Sequence, residues 1–196
     1  MRLLRSAPAA HQLAVHLLSR PLAAELRVRR LHTSSKGWML QYVRAIDLSV
    51  ERSWDLLRWC LADGATEFSL REMSFVGHVD PVVQHANATL ASFRLPEQPR
   101  PRSVVYSGEP ERQPVKLWRL NEQSISALSQ LLANGLFTEP TGSQNGWVED
   151  PTVYRDSDIV LGVVSHEGEA FLNVSASEAE ELMRLGFVLY PRGLYI

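Results

Sequence analysis

Cysteine, lysine and long apolar runs are scarce in this chain, and several well-known functional motifs are missing. Its 196 residues include 1 cysteine, which excludes a disulfide scaffold and a zinc site made of several cysteines. No stretch approaches the ~20 apolar residues that a membrane-spanning helix needs. A glycine-rich phosphate loop, a dinucleotide fingerprint, an HExxH helix and a nucleophile elbow are also missing. The sequence therefore predicts no membrane partner and disfavours the enzyme classes that carry these motifs.

Acidic and basic residues are unevenly distributed along the chain. Residues 1–38 hold seven basic residues and one acid, Glu25, for a net charge of +6. Of the 20 basic and 22 acidic residues in all, 13 and 21 remain for residues 39–196, whose net charge is −8. Nucleic-acid phosphates need clustered Lys and Arg, whereas an acidic domain attracts basic proteins. We therefore expect a basic protein partner and no nucleic-acid partner, and the oligomeric state stays open.

The first 38 residues have the composition of a mitochondrial presequence. They are rich in Arg, Leu, Ala and Ser and almost free of acids. Arg29-Arg30 and the octapeptide 31–38 fit a two-step cleavage that would end between Trp38 and Met39. On this interpretation the mature protein lies in the mitochondrial matrix.

A bacterial origin is the alternative explanation for this segment. GC-rich DNA read upstream of the true start codon also yields Arg, Ala, Pro, Ser and Leu, and the whole chain has 18 Arg against 2 Lys. We favour this alternative, which places the protein in the bacterial cytoplasm. In both explanations residues 1–38 are disordered, cleaved or spurious, and residues 39–196 form a single α+β domain.

Residues 39–196 contain up to four helix signals, each opened by a capping residue. Side chains of Ser, Asp and Asn accept hydrogen bonds from the free backbone N–H groups of a first helical turn. The predicted N-caps are Ser49, Asp80, Asn121 and either Ser175 or Ser177. Apolar residues then recur at helical spacing, as Val82, Ala86 and Leu90 do after Asp80.

Strand patterns separate these helices, but helices and strands do not alternate strictly. The predicted strands cover 42–48, 66–70, 116–120, 158–165 and 170–174. The segment 94–115 holds five of the 11 Pro residues and is predicted to be a connector, and 138–150 is predicted to be a polar loop. Together these patterns predict an α+β fold with a mixed, mostly antiparallel sheet of about five to seven strands. Three to four helices are expected to pack mainly on one face of that sheet.

Trp147 is the most unusual residue of the predicted polar loop. It precedes Glu149 and Asp150, and a loop aromatic flanked by acids favours contact with a basic partner or a cationic ligand. The alternative is that Trp147 anchors the loop to its own core, where large aromatics usually lie. With the charge of −8 on residues 39–196, this segment favours a non-enzymatic acidic binding module, such as an inhibitor, an immunity-type protein or an assembly factor.

A metal-dependent hydrolase or small-molecule-binding enzyme is the alternative function. Two imidazoles and a carboxylate, from His78, Asp80 and His85, would hold a divalent metal, with His166 as a further ligand. Capping explains Asp80 equally well, because its oxygens would then bind backbone N–H groups of the helix. No other cofactor is expected.

Two smaller sets of reactive residues also have structural explanations. His166 lies near Glu167 and Glu169, an acid/base arrangement that is equally ordinary for a polar hairpin turn. Cys60 follows Trp59 in the first predicted helix, where it is either a nucleophile or a small buried hydrophobe.

Overall fold

A computed structural model describes residues 41–46, 48–74, 80–101, 112–137 and 146–191. The presequence-like segment 1–38 lies outside the described residues, and so does His78. The division of the chain at residue 38 therefore stays a prediction.

Eight strands and four helices make up the described part of the chain. The strands are β1 (Gln41–Ile46), β2 (Glu67–Ser74), β3 (Arg94–Pro101), β4 (Arg112–Arg119), β5 (Gly146–Arg155), β6 (Asp158–Val164), β7 (Glu169–Val174) and β8 (Val188–Pro191). The helices are α1 (Val50–Ala62), α2 (Pro81–Thr89), α3 (Glu122–Leu131) and α4 (Ala176–Arg184). Two 3₁₀ turns cover Ala91–Phe93 and Ser165–Glu167.

All eight strands form one sheet in the order β3-β4-β2-β5-β6-β7-β1-β8. Every strand pair among the described residues is antiparallel. The α+β prediction is thus confirmed, with more strands than the expected five to seven. Strand β8 went unpredicted because its four residues are too few for a visible alternation.

The predicted capping residues open all four helices. Ser49 Oγ accepts from Arg52 N at 3.3 Å, and Asp80 Oδ1 accepts from Val82 N at 2.7 Å. Asn121 and Ser175 each form a capping box with the residue three positions later. For α4 the structure selects Ser175 with Glu178 and leaves Ser177 inside the helix. These bonds satisfy N–H groups that the first turn leaves free, which explains why each helix begins where it does.

The main hydrophobic core lies between the four helices and one face of the sheet. Each helix contributes buried side chains, including Trp54, Leu57, Val83, Ala86, Ile125, Leu128, Ala179 and Leu182. From the sheet, the stacked rings of Phe68 and Trp118 have centroids 5.7 Å apart. Elements before and after the segment 94–115 share this core. The prediction of helices mainly on one face is confirmed.

A smaller hydrophobic cluster covers the opposite face. Leu117 of β4 packs there with Tyr154, Ile159 and Phe171 from β5, β6 and β7. Tyr154 Oη donates to the carbonyl of Pro101 at 3.1 Å. Since β3 and β4 stand at one end of the strand order, these contacts mean that the β3-β4 hairpin curls over the second face.

Two segments predicted as a connector and a polar loop contain strands. The segment 94–115 includes β3 and the beginning of β4. The prolines at 96, 99 and 101 lie in β3, which tolerates them because it is an edge strand, and Pro114 lies in the part of β4 whose recorded pairing is with β3 alone. Residues 146–150, predicted as the end of a polar loop, form the first half of β5. The prolines of the first segment and the polar residues of the second hid the strand pattern in the sequence.

The predicted stripe of α2 differs from the structure at one position. Ala86 and Leu90 are buried as predicted, but Val83 is buried in place of Val82, which is 41% exposed. An apolar pair of adjacent residues leaves two registers open, and tertiary packing selects one of them.

Candidate functional site

Three side chains of metal-ligand type converge where β5 meets the turn after β6. Glu149 and Asp150 belong to β5, and His166 lies in the 3₁₀ turn Ser165–Glu167. One ligand atom from each of the three lies within 4.8 Å of the other two. Among the described residues this is the single group of three or more His, Cys, Asp or Glu side chains with such spacing.

A bulge in β5 places the two carboxylates together. Ser69 pairs with Thr152 and Arg71 pairs with Glu149, so Asp150 and Pro151 stand opposite one residue of β2. Asp150 has φ 51°, in the left-handed region that Asp tolerates better than most residues with a Cβ. In a regular strand, neighbouring side chains point to opposite faces. The bulge breaks this alternation and lets consecutive acids approach the same point.

The Asp150 carboxylate is held in place by Ser165. Ser165 N donates to Asp150 Oδ1 at 2.8 Å, and Asp150 N donates to Ser165 Oγ at 3.1 Å. The Ser165 hydroxyl in turn donates to the carbonyl of Leu136 at 3.3 Å. Oδ1 is engaged in this reciprocal pair and Oδ2 accepts from Arg71 Nη1 at 3.4 Å, so a ligand of Asp150 would bind Oδ2 beside the guanidinium.

Glu149 is a buried carboxylate without a hydrogen bond to any described residue. Its side chain is 5% exposed, and its one polar contact is an ion pair between Oε1 and Arg71 Nη1 at 3.7 Å. Buried polar groups are nearly always hydrogen-bonded, and a buried charge without close partners is costly. A cation at this point would add to the compensation that Arg71 provides.

The cluster opens to solvent on the side of Arg71 and His166. Their side chains are 54% and 56% exposed. Arg71 Nη1 also lies 3.4 Å from Asp150 Oδ2, so one guanidinium serves both carboxylates. One positive charge therefore faces two negative charges, and with a neutral imidazole the cluster keeps an excess negative charge.

This donor set suits a divalent metal of intermediate softness. Two carboxylate oxygens and an imidazole nitrogen are ligands for ions such as Mn²⁺, Fe²⁺ and Zn²⁺. Three protein ligands leave coordination positions open for water or substrate. Those positions would lie on the exposed side, where His166 and Arg71 border the cluster.

Asp80, His85 and His166, the described members of the metal set predicted from sequence, do not form a group of metal-ligand spacing. Asp80 is 2% exposed and caps α2, so its Oδ1 is engaged with Val82 N at 2.7 Å. His85 lies on the exposed side of α2, and His78 is outside the described residues. Of the predicted set, His166 is the one that joins a cluster of metal-ligand type. The helix cap therefore takes precedence over metal binding at Asp80.

The predicted docking segment differs from the structure in its local fold. Glu149 and Asp150 lie in strand β5 rather than in a polar loop, with side chains 5% and 13% exposed. The side chain of Trp147 is outside the described part of the chain. The sequence thus singled out both acids and His166 but assigned them to different sites.

Cys60 has the properties of a core residue. It is fully buried, and removal of its thiol from solvent raises its pKa from the ordinary value of 9.0 to about 12, partly offset by the nearby charge of Arg155. The thiolate is the nucleophilic form of cysteine. Of the two interpretations, the structure favours the small buried hydrophobe.

Arg71 and Ser165 are members of the site that the sequence did not indicate. Arg71 lies in β2, and the pairing of β2 with β5 places it next to Glu149. Ser165 begins the turn after β6 and hydrogen-bonds to Asp150. Only the strand register, including the bulge, brings either residue to the carboxylates.

None of the described helices has the length and apolar character needed to cross a membrane. No protein-family model, curated protein or solved structure matches the chain.

Proposed function

We propose that the protein binds one divalent metal ion through Glu149, Asp150 and His166 and is a metal-dependent enzyme of the hydrolytic type. The observation that carries this proposal is the convergence of three donors within 4.8 Å of one another, one of them the Glu149 carboxylate, whose side chain is 5% exposed. A buried carboxylate of this kind is stabilised by a bound cation more than by the half-exposed Arg71.

The roles of the three ligands follow from their surroundings. Asp150 is fixed through Oδ1 by Ser165 N and offers Oδ2 to the ion. Glu149 contributes a charge from the buried side, and His166 supplies nitrogen from the exposed side. This arrangement leaves the solvent-facing positions for water, whose pKa a divalent ion lowers toward neutrality. A nucleophilic hydroxide would form there without a catalytic cysteine or serine.

Titration of the full chain with Mn²⁺ or Zn²⁺ tests the proposal. We expect one ion per chain, and Glu149→Gln should weaken binding by about tenfold to a hundredfold. Glu97→Gln is the control, because Glu97 is 52% exposed, pairs with Arg94 in β3 and lies outside the three-donor cluster. Equal affinities of the two variants would remove the basis for the site.

Histidine variants give an independent test of the same site. His166→Ala should lose affinity for the ion, whereas His85→Ala should retain it, because His85 lies on α2 and is not part of the cluster. If His85→Ala loses the ion and His166→Ala retains it, the metal binds instead at the predicted set of His78, Asp80 and His85.

An acidic module that docks a basic protein is the second candidate. It is supported by the net charge of −8 on residues 39–196. Several exposed acids are paired with arginines, as in Glu97 with Arg94 and Asp158 with Arg112. The excess negative charge of the domain therefore does not come from these acids. Purification from the natural host at low and high salt tests this candidate, since a partner held by charge dissociates as salt rises. The compartment, bacterial cytoplasm or mitochondrial matrix, stays a prediction.

A further inference from the structure

Arg71 is placed to serve two different partners. Both of its contacts with described residues, to Glu149 and Asp150, use Nη1, at 3.7 and 3.4 Å. Its side chain is 54% exposed, so a ligand from solvent can reach the arginine. An arginine has five N–H donors in a rigid fork, and most of them are unused by these two carboxylates.

Metal binding would add positive charge beside Arg71. Without an ion, the carboxylates of Glu149 and Asp150 face the single positive charge of Arg71, and the Glu167 carboxylate lies 3.8 Å from His166 Nε2. A divalent ion held by Glu149, Asp150 and His166 would add two positive charges next to the guanidinium. Two neighbouring positive groups of this kind attract an anion with several oxygens.

We propose that Arg71 and the bound metal together recognise a phosphoryl group, one oxygen on the ion and others on the guanidinium. This inference rests on the metal site of the proposed function. A terminal phosphoryl group has three oxygens and carries up to two negative charges, so it can contact both positive groups at once and neutralise them. Arginine is well matched to phosphate because its planar fork forms paired hydrogen bonds. The substrate class implied is a phosphomonoester.

Calorimetric titration with phenyl phosphate tests this inference in the Mn²⁺-loaded full chain. We expect phenyl phosphate to bind the loaded protein and to bind the metal-free protein at least about tenfold more weakly. Arg71→Gln should keep its Mn²⁺ and lose about tenfold or more of its phenyl phosphate affinity. Arg58→Gln is the matched control, because Arg58 is 45% exposed and pairs with Asp55 and Glu122, on α1 and α3.

The remaining outcomes separate this inference from the metal site itself. If Arg71→Gln binds Mn²⁺ and phenyl phosphate as the natural chain does, the role of Arg71 is wrong while the metal site stands. If phenylacetate binds the loaded protein as tightly as phenyl phosphate, recognition of the phosphoryl group is wrong. If no Mn²⁺ binds, both proposals fall.

Discussion

Asp150 and Ser165 hold each other through two reciprocal hydrogen bonds. Ser165 N donates to Asp150 Oδ1 at 2.8 Å, and Asp150 N donates to Ser165 Oγ at 3.1 Å. The pair joins the bulge of β5 to the turn that carries His166. Residues from two separate strands are thus fixed together at the proposed metal site, before any ion binds.

Removal of the Ser165 hydroxyl should therefore impair metal binding and stability together. In Ser165→Ala the Asp150 N–H loses its acceptor, and the Leu136 carbonyl loses its donor, at a site that is 3% exposed. We expect a loss of about 1–3 kcal/mol in the free energy of unfolding, measured by chemical denaturation, and weaker Mn²⁺ binding. Ser126→Ala, at an exposed position of α3, is the control and should change neither. An unchanged Mn²⁺ affinity in Ser165→Ala would show that the reciprocal pair does not position Asp150.

Arg71 should compete with the metal for the two carboxylates. Its Nη1 lies 3.4 Å from Asp150 Oδ2, the oxygen that we assign to the ion. We expect Arg71→Gln to bind Mn²⁺ more tightly than the natural chain, because the ion would no longer bind next to a positive charge. Direct titration with Mn²⁺ measures this, and screening of the competing charge by salt should narrow the difference between the two proteins. Weaker Mn²⁺ binding by Arg71→Gln would mean that the guanidinium does not oppose the ion.

The local signals predicted the helices well and the strands less completely. Helix capping depends on a few adjacent residues, so the sequence alone predicted the four N-caps, Ser49, Asp80, Asn121 and Ser175. Strand β3 was hidden by its prolines, which an edge strand tolerates because one side makes no ladder bonds. The edge position is a property of the whole sheet and has no local signature.

The three proposed ligands were each noticed in the sequence, but their assembly and the contributions of Arg71 and Ser165 were not. Glu149, Asp150 and His166 attracted attention for their chemistry alone, and Asp80 lost its predicted metal role to the capping role that the same residue type explains. What joined the three was a bulge between Ser69 and Arg71, which shifts the register by one residue. A shift of this kind exchanges the faces of the sheet and cannot be inferred from composition or spacing.

Cys60 should be inert toward thiol reagents in the folded protein. The rise of its pKa from 9.0 to about 12 lowers the thiolate fraction at neutral pH by about three orders of magnitude, and burial blocks access as well. A colorimetric disulfide reagent should react with Cys60 only after denaturation. Rapid reaction of the native chain would contradict the buried position.

The same pKa predicts how stability depends on alkaline pH. The folded-state pKa of Cys60 is raised, so its contribution is fully present below pH 9.0 and is lost as pH rises toward about 12, because the unfolded chain releases the proton first. The free energy of unfolding should therefore fall more steeply over this range in the natural chain than in Cys60→Ala. If the free energy of unfolding falls equally with pH in the two proteins, groups other than Cys60 cause the loss of stability at alkaline pH.

Gly135 should be required for the turn that follows α3. Its φ is 81°, and an added Cβ would lie 2.8 Å from Ser53 Oγ and 3.2 Å from the backbone of Val50. Gly168 is the matched control, since its φ is 63° and an added Cβ meets nothing within 4 Å. Gly168→Ala should cost about 1 kcal/mol of backbone strain, and Gly135→Ala should cost about 2–4 kcal/mol because crowding against α1 is added to that strain. Thermal or chemical denaturation measures both, and equal losses in the two variants would mean that Ser53 and the first turn of α1 yield without cost.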